Sequence, residues 1–365
     1  MRPKRIAFVG AGGITRAHKE AFGLHPERVV AAGVADVNEE AAGKLAGELG
    51  TQGQASWEAM LDGLAGRVDG VVVTTPHFMH APIAEGALAR GLPALVEKPV
   101  TCTVGEMRRL RGMERGGAFV QAGQQQRFGA EENWIGRWLG SEEFGEARLF
   151  NVDIYQNVEG YTGGREDFWI LDGKKAGGGI VISVAVHILD LLRYWLADDF
   201  VEVYAKGRFD APFRNGAEST VAATLTMGRG VVGTLNCSYT ATRCPYSQRT
   251  LIFGTRGSLA QNLERVGGGY SGPYYVSTDG GKPSREWGLM YSGWQGVKER
   301  MLADAGGREA KETPAFVTQM LAFAEGIEKG AALENSLARN FNTIATIEAI
   351  GRAILSGKPE RVEAV

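Results

Sequence analysis

The residues best placed to do chemistry lie in one long apolar stretch in the middle of the chain. Between positions 180 and 195, four polar side chains recur at intervals of three and four residues: Ser183, His187, Asp190 and Tyr194. This spacing favours a helix over a strand, and on a helix the four side chains form one stripe. The other faces are almost wholly apolar, so we expect a buried helix. Because buried polar groups need partners, the stripe predicts either a polar cavity or a closed hydrogen-bonded network.

A second group, near the amino terminus, has the spacing of a phosphate-binding turn. Gly10, Gly12, Gly13 and Ile14 follow a short apolar run and open a predicted helix. Glycine permits a tight turn and lets backbone N–H groups approach a pyrophosphate, whose charge the helix N-terminus stabilises. The third small position of such a turn is Thr15 here, and we expect it to loosen the packing of helix on strand.

An acidic residue completes this pattern. Asp36 ends the second predicted strand, where a carboxylate accepts hydrogen bonds from the adenosine ribose and repels a 2′-phosphate. No arginine follows it in Val37 and Asn38, so the sequence favours NAD over NADP. The alternative is that Asp36 only caps the next helix.

Two more predicted strands end in polar residues at the edge where an open parallel sheet binds its ligand. Thr74, Thr75 and Pro76 follow one strand, and Glu97-Lys98-Pro99 ends the next. The pair His77 and His80 could suggest a metal, but no cysteine or carboxylate cluster accompanies it, so we predict no metal. For His80 we expect a role at the helix start or in contact with the cofactor.

The elements that must position these residues divide into two patterns. Up to about residue 125, β-rich runs alternate with helical ones, as in a doubly wound parallel sheet. The strands predicted there are Ile6–Val9, Val29–Ala35, Gly70–Thr75, Ala94–Glu97 and Ala118–Ala122, and the helices are Thr15–Leu24, Glu39–Leu49 and Ala81–Arg90. Further strand-like runs are Ala147–Gln156, Val201–Phe209, Glu218–Met227, Gly230–Ala241, Arg249–Gly254 and Ser258–Asn262, followed by helical stretches at Thr313–Gly330 and Leu337–Ser356. We therefore expect two domains, 1–125 and 126–365.

Composition excludes several classes of protein. The chain has 365 residues, of which 44% are hydrophobic, and a formal net charge of −2. Such a charge gives no broad positive field for nucleic acid or an anionic membrane. The three cysteines, Cys102, Cys237 and Cys244, are odd in number and lack CxxC spacing, so we expect reduced thiols in the cytoplasm.

Together these motifs resemble the glucose–fructose oxidoreductase / inositol dehydrogenase family (Gfo/Idh/MocA), over nearly the whole chain. The resemblance rests on the glycine turn, Asp36, the stretch 74–80, Glu97-Lys98-Pro99, and the glycine-rich lead into the helix with His187 and Asp190. It implies an N-terminal Rossmann domain with a doubly wound parallel sheet. It also implies a C-terminal α+β domain with a large, mostly antiparallel open sheet, a late helix packing back on the first domain, and a sheet face that supports homodimers or homotetramers.

The family resemblance also implies NAD-dependent oxidation of a secondary hydroxyl of a sugar, polyol or cyclic carbohydrate. By carry-over, His187 is the general acid/base, Lys98 stabilises the developing negative charge, and Asp190 orients His187 or binds a neighbouring hydroxyl. The expected cofactor-binding residues are Gly10, Gly12, Gly13, Ile14, Asp36, Thr74, Thr75, Pro76, His80, Glu97 and Lys98. The expected substrate-binding residues are Lys98, Ser183, His187, Asp190, Tyr155 and Trp169.

Two positions of this motif depart from the family pattern: Ser183 stands where aspartate is usual, and Ala185 where glycine is usual. Serine binds a hydroxyl but cannot serve as a second acid/base at neutral pH. Either His187 acts with Lys98 alone, which we favour, or a loop carboxylate enters, or the activity is weakened or lost. The candidate carboxylates are Asp153, Glu159, Asp167 and Asp172.

Aromatic residues between Tyr155 and Trp169 alternate with polar ones, as in a wall that binds sugar, although a core edge under a solvated loop is the simpler alternative. Five more aromatics could shape the pocket or an oligomer contact: Tyr270, Tyr274, Tyr275, Trp287 and Trp294. Two rival functions remain open: an NAD-assisted glycosidase or lyase that oxidises a sugar transiently, and a non-catalytic sensor of NAD and sugar.

Overall fold

The computed structural model describes residues 2–241, 246–266, 269–271, 274–278 and 314–365, with side chains described for all of these except 262–278. Cys244, Trp287 and Trp294 lie outside the described residues, as do the side chains of Tyr270, Tyr274 and Tyr275. The expectations for these six residues therefore stay predictions.

The first third of the chain forms a parallel six-stranded sheet in the order β3-β2-β1-β4-β5-β6. Its strands are β1 (Lys4–Val9), β2 (Val29–Ala35), β3 (Gly53–Gln54), β4 (Gly70–Val73), β5 (Ala94–Glu97) and β6 (Val120–Gly123). The helices between them are α1 (Thr15–Leu24), α2 (Glu39–Glu48), α3 (Trp57–Gly63), α4 (His80–Ala89) and α5 (Val104–Met113). The strand order reverses at β1 and β4, whose carboxyl ends open the crevice in which doubly wound sheets bind ligands. The predicted doubly wound sheet is confirmed.

The second sheet has nine strands in the order β13-β12-β11-β7-β10-β9-β8-β15, with β14 paired to β12. The longer strands are β7 (Ala147–Tyr155), β8 (Phe200–Arg208), β9 (Thr220–Met227), β10 (Val232–Ser238), β11 (Ser247–Gly254) and β12 (Gly257–Val266). The shorter ones are β13 (Gly269–Ser271), β14 (Tyr274–Thr278) and β15 (Glu360–Arg361). Only β7 and β10 pair in parallel, and the remaining pairs are antiparallel. The expected mostly antiparallel sheet is confirmed.

The strands of this second sheet alternate buried and solvent-facing residues, which is the pattern of a sheet with one face covered by helices. Along β7, Phe150, Val152 and Ile154 are fully buried and join the same core as the apolar residues of a later helix, α9 (Val186–Leu196). Two short helices, α7 (Glu159–Thr162) and α8 (Gly173–Ala176), precede α9, and α6 (Ala130–Leu139) packs beside it.

The carboxyl-terminal helices connect the two sheets. Helix α10 (Ala315–Lys329) buries Met320 and Phe323 against the first sheet, in one core with Ile6 and Phe8 of β1. Helix α11 (Leu337–Ser356) packs on β8 and α9 of the second domain and on α5 of the first. The chain thus returns to the first sheet after building the second.

The apolar stretch predicted as one helix is not uniformly α-helical. Val181–Ala185 forms a π-helical turn, in which the Val186 N–H bonds the Val181 carbonyl five residues back, before α9 begins. A π turn shifts the positions of the side chains that follow, so the predicted stripe of four residues is broken. The stretch 173–196 is long and apolar enough to cross a membrane, but 72% of its most apolar window is buried inside the protein.

Candidate active site

The glycine turn lies between β1 and α1 and leaves its outer side open. Gly10 has a φ of +105°, and a Cβ there would lie 2.7 Å from the Thr74 backbone, so only glycine fits without a shift. A Cβ on Gly12 or Gly13 would meet nothing within 4 Å. Together with Ile14, which is exposed before α1, these residues form an open cradle at a helix N-terminus, as an anionic pyrophosphate requires.

Thr15 stabilises this turn through hydrogen bonds, contrary to our expectation that it would loosen the packing of helix on strand. Its hydroxyl donates to the Gly10 carbonyl at 3.1 Å and lies 2.9 Å from the Thr74 hydroxyl, in a fully buried position. The Thr74 hydroxyl itself bonds the Gly10 carbonyl at 3.0 Å. Two buried hydroxyls therefore replace the close packing that a smaller third residue would give.

Asp36 holds the turn from the other side. One of its oxygens accepts from the Ala11 N–H at 2.7 Å, and the other accepts from the Asn38 N–H at 2.8 Å. Asn38 is the residue that caps α2, since its side chain accepts from the Ala41 N–H at 3.0 Å. The alternative that Asp36 caps this helix is therefore wrong, and its carboxylate keeps acceptor capacity for a ribose.

The turn after β4 contains two buried histidines with partners other than a metal. His80 is fully buried, with Nε2 2.8 Å from the Thr75 carbonyl and Nδ1 2.7 Å from the Pro99 carbonyl. The Nδ1 of His77 lies 2.8 Å from the Ala176 carbonyl. Burial lowers the pKa of His80, while its two carbonyl partners and Glu97 oppose that shift. His80 thus joins the β4 turn, with Thr75 and Pro76, to the turn after β5 rather than facing a ligand.

Within the part of the chain that the structure describes, no group of three or more histidine, cysteine, aspartate or glutamate residues could hold a metal ion.

The turn after β5 contains Lys98, the expected electrostatic stabiliser, and its backbone N–H is bonded to the buried carboxylate of Glu97. Glu97 is 5% exposed; one oxygen accepts from the Lys98 N–H at 3.1 Å, and the other lies 2.8 Å from Nε2 of His18. Burial works to raise the pKa of Glu97, but the His18 bond and the charges of His18 and Lys98 hold it below its usual value. Burial lowers the pKa of Lys98, and Glu97 opposes this change.

Lys98 reaches across to the second domain at the π turn. Its Nζ donates to the Ser183 carbonyl at 2.7 Å. The Ser183 hydroxyl is buried and makes no hydrogen bond of acceptable geometry, although it lies close enough to the Tyr239 hydroxyl to oppose the rise in that group's pKa caused by burial. The structure therefore brings together Lys98 and Ser183, two of the residues expected to bind substrate.

His187 follows one turn later, at the start of α9. Its Nδ1 is buried and has no hydrogen-bond partner among the described residues. Burial and then the charge of Lys98 lower the pKa of His187 well below its usual value. At pH 7 this imidazole is therefore neutral, and its unbonded Nδ1 is available to exchange a proton with a ligand.

Asp190 has a different role from the one expected. It is 1% exposed, and its two oxygens accept from Nε and Nη2 of Arg127 at 2.6 and 2.8 Å. Asn340 and Thr343 each donate to the same carboxylate at 3.1 Å. Our prediction that Asp190 orients His187 or binds substrate is therefore wrong: its acceptor sites are taken by a buried bidentate ion pair and two more donors.

The aromatic wall is only partly as predicted. Trp169 lies edge-on to His77, with ring centroids 4.6 Å apart, and so stands beside the Lys98 turn. Tyr161 lies edge-on to Phe168 at 5.7 Å, and Arg165 covers Phe168. Tyr155, by contrast, lies at the end of β7 on the open face of the second sheet, 37% exposed. Because α9 packs on the other face, the prediction of Tyr155 as a substrate contact is wrong.

Sequence reasoning missed three residues that hold the site together. His18 belongs to the buried stripe of α1, where a histidine among Thr15, Ala21 and Phe22 was a signal. Arg127 follows β6, and Glu218 accepts from the N–H groups of Gly179 and Val181 at 2.8 and 3.0 Å, thereby capping the π turn. Neither has a local signal, because each partner is distant in sequence.

The residues present fit an NAD cofactor. The cradle over Gly12 and Gly13 is open, a helix N-terminus points into it, and the Asp36 carboxylate lies beside it. The β4 and β5 turns with Thr75 and Lys98 continue the same sheet edge. This is the arrangement in which a doubly wound sheet binds a dinucleotide.

Such a fold and site define an NAD-binding protein with a Rossmann domain and a second, sheet-based domain. The model of the oxidoreductase family with an NAD-binding Rossmann fold matches residues 4–120, and the model of the GFO/IDH/MocA C-terminal domain matches residues 134–260. The chain belongs to the Gfo/Idh/MocA oxidoreductase family, as the motifs predicted.

Named relatives span several sugar and polyol oxidoreductases. An uncharacterized oxidoreductase, YrbE, of Bacillus subtilis is 26% identical over 54% of this chain and 56% of its own length. An inositol 2-dehydrogenase of Rhizobium meliloti is 26% identical over 74% of this chain and 81% of its own length. The chain spans about half the length of the first curated relatives it matches.

Solved structures share the fold over the whole chain. The WlbA dehydrogenase of Bordetella pertussis in complex with NADH and UDP-GlcNAcA has a TM-score of 0.81 at 20% identity, covering 100% of this chain and 99% of that one. A levoglucosan dehydrogenase in complex with NADH has a TM-score of 0.78 at 17% identity, with both chains covered completely. At this identity the likeness shows the fold alone.

Asp36→Ala should relax the preference for NADH over NADPH, because it removes the ribose acceptor and the charge that repels a 2′-phosphate. Losing a charged hydrogen bond of about 1.5–3 kcal/mol predicts a roughly tenfold to hundredfold weaker binding of NADH. Fluorescence titration with both cofactors measures the ratio. Glu40→Ala, an exposed carboxylate in the first turn of the same helix, is the control. An unchanged ratio would remove Asp36 from the ribose site.

Arg127→Met should destabilise the protein by about 3–5 kcal/mol, because it leaves the Asp190 carboxylate buried without its partner. The midpoint of urea unfolding measures the change. Arg148→Met breaks an ion pair with Glu146 at 64% and 77% side-chain exposure and should change stability by less than about 1 kcal/mol. Equal midpoints for the two variants would contradict a structural role of the Arg127–Asp190 pair.

Proposed function

We propose that this protein is an NAD-dependent dehydrogenase that oxidises a secondary hydroxyl of a sugar, polyol or related cyclic carbohydrate. The observation that supports it is the meeting of Lys98 and His187 at the cofactor edge of the Rossmann sheet. Lys98 bonds the Ser183 carbonyl at 2.7 Å, four residues before His187, and its charge is one cause of the lowered pKa of His187.

The reaction requires that a hydroxyl lose its proton while the carbon that bears it loses a hydride. NAD, when bound, supplies the hydride acceptor. His187, neutral at pH 7, accepts the hydroxyl proton, and Lys98 donates a hydrogen bond to the same oxygen as negative charge develops on it. The products are a ketone, NADH and a protonated His187, which returns its proton to solvent or to the ketone in the reverse direction.

Ser183 fills the position where the family resemblance implied an acidic partner. Its carbonyl holds Lys98, and its hydroxyl, which lies near that of Tyr239, would bind a second hydroxyl of the substrate. No carboxylate among the described residues bonds His187 or Lys98 Nζ, which favours the first of the three alternatives, in which His187 and Lys98 act without a second acid/base.

In this proposal the aromatic wall formed by Trp169, Phe168 and Tyr161 contacts the substrate and selects it. Aromatic rings bind the apolar faces of sugars, and the neighbouring Arg165 and the Ser183 hydroxyl provide polar contacts. The relative named inositol 2-dehydrogenase supports a cyclic carbohydrate as the substrate class.

The open face of the second sheet is the expected surface for a homodimer or homotetramer. Leu149, Val232 and Phe253 are paired neighbours on adjacent strands, and all three are exposed. A contiguous apolar patch of this kind is typical of a protein interface. We propose a cytoplasmic homo-oligomer that binds neither membrane nor nucleic acid.

NADH absorbance on mixing the protein and NAD with monosaccharides, anhydrosugars, inositols and glycosides tests the function. We expect turnover with one compound class, and a loss of about 10²- to 10⁴-fold in His187→Ala and Lys98→Met, because each removes a group that acts in the transition state. Lys174→Met and His25→Ala, both on the surface, should keep the wild-type rate. A flat trace across the panel, with NAD binding confirmed, would contradict the proposal, and cleavage of a glycoside without net NADH would favour the redox-assisted glycosidase.

The pH dependence of oxidation should follow the lowered pKa of His187. The base acts only when neutral, so kcat/KM should stay level as the pH falls past 6.5 and decline only at the lower pKa. Steady-state rates between pH 5 and 9 measure this profile. An acidic limb at or above pH 6.5 would contradict the assignment of His187 as the buried base.

A further inference from the structure

The Lys98 turn rests on a buried pair that the reaction scheme does not use. His18 is fully buried on α1, and its Nε2 lies 2.8 Å from Oε1 of Glu97, which is itself 5% exposed. The second Glu97 oxygen accepts from the Lys98 N–H at 3.1 Å. A single carboxylate therefore connects the imidazole of α1 with the residue whose ammonium group faces the substrate.

His18 has no other polar partner among the described residues. Its Nδ1 is buried and unbonded, and its ring lies edge-on to Phe316 of α10, with centroids 4.9 Å apart. A leucine or phenylalanine would fill such an apolar site equally well. The histidine is needed there only for its bond to Glu97, because a buried carboxylate without donors would be driven to its neutral form.

We propose, resting on the dehydrogenase function above, that His18 is a positioning residue that holds the Glu97 carboxylate in place and, through the Glu97 bond to the Lys98 N–H, positions Lys98 at the reacting oxygen. The groups that face Glu97 are His18, Lys98, His80 and Tyr161. Those that face Lys98 are Glu97, His77, His80 and His187. Glu97 is the only anion in either set of described residues, so the charge balance of the site depends on it.

The direction of the effect follows from these charges. Without the His18 donor, burial dominates at Glu97, and its carboxylate takes up a proton at a higher pH than in the wild type. A protonated Glu97 no longer offers a charged acceptor to the Lys98 N–H, and it no longer opposes the burial of the Lys98 ammonium group. Because Glu97 protonates as the pH falls, the acidic limb of the oxidation rate moves to higher pH, whereas the alkaline limb, where Glu97 is ionised with or without His18, stays in place.

The test compares His18→Phe with His18→Gln, whose side-chain amide keeps an N–H donor for Glu97. In His18→Phe we expect the acidic limb of kcat/KM to rise by about one pH unit, and kcat to fall about tenfold with little change in KM. His18→Gln should recover most of the rate and the wild-type limb. His25→Gln, at the exposed end of the same helix, should match the wild type, and thermal melting should show that all three variants fold.

A second readout does not depend on turnover. With ¹³C-carboxyl-labelled glutamate, and Glu97→Gln to assign the signal, the Glu97 carboxyl should titrate about one pH unit or more higher in His18→Phe than in the wild type. An unchanged Glu97 titration would overturn the inference, as would equal losses in His18→Phe and His18→Gln with the acidic limb unmoved. If the wild type oxidises none of the panel, the dehydrogenase proposal fails by itself, and the Glu97 signal still decides whether His18 controls this carboxylate.

Discussion

The site depends on one constraint: two residues after Rossmann strands must hold a helix of the second domain. Lys98, after β5, bonds the Ser183 carbonyl, and Arg127, after β6, forms a buried bidentate pair with Asp190. His187 lies between these two ties along the helical stretch. The Ser183 carbonyl that accepts from Lys98 belongs to the π turn at 181–185. The two ties therefore fix the position of His187, the proposed general base, relative to Lys98.

The glycine triplet at 177–179, just before this helical stretch, also helps to hold the stretch in place. A Cβ on Gly179 would lie 1.9 Å from the Glu218 carbonyl, so the chain can approach β9 closely only with glycine there. Glu218 then caps the π turn with two backbone bonds, and burial raises its pKa against the effect of those bonds. The helical stretch that carries His187 is thus held by Glu218 of the second domain and by the turns after β5 and β6 of the first.

Much of this could be predicted from the sequence, and the failures have physical causes. The strands Val29–Ala35 and Ala94–Glu97 and the helices Thr15–Leu24 and Leu337–Ser356 were predicted with the bounds observed, because their ends coincide with turns, caps or glycines. The NAD cradle followed from glycine spacing and Asp36. Asp190 was assigned wrongly because helical periodicity shows which residues share a face but not that Arg127, 63 positions away, takes the carboxylate. Tyr155 was assigned wrongly because composition does not show which face of a strand is open.

The central claim is that Lys98 and His187, fixed by the two ties, face one reacting carbon above the cofactor. A crystal structure of the protein with NADH tests it most directly and needs no knowledge of the substrate. The account predicts the adenosine ribose on Asp36, the pyrophosphate over Gly12 and Gly13, and the nicotinamide ring beside Lys98 and His187 with the Lys98–Ser183 bond intact. A nicotinamide bound away from these two side chains, or a Lys98 turned away from the Ser183 carbonyl, would contradict it.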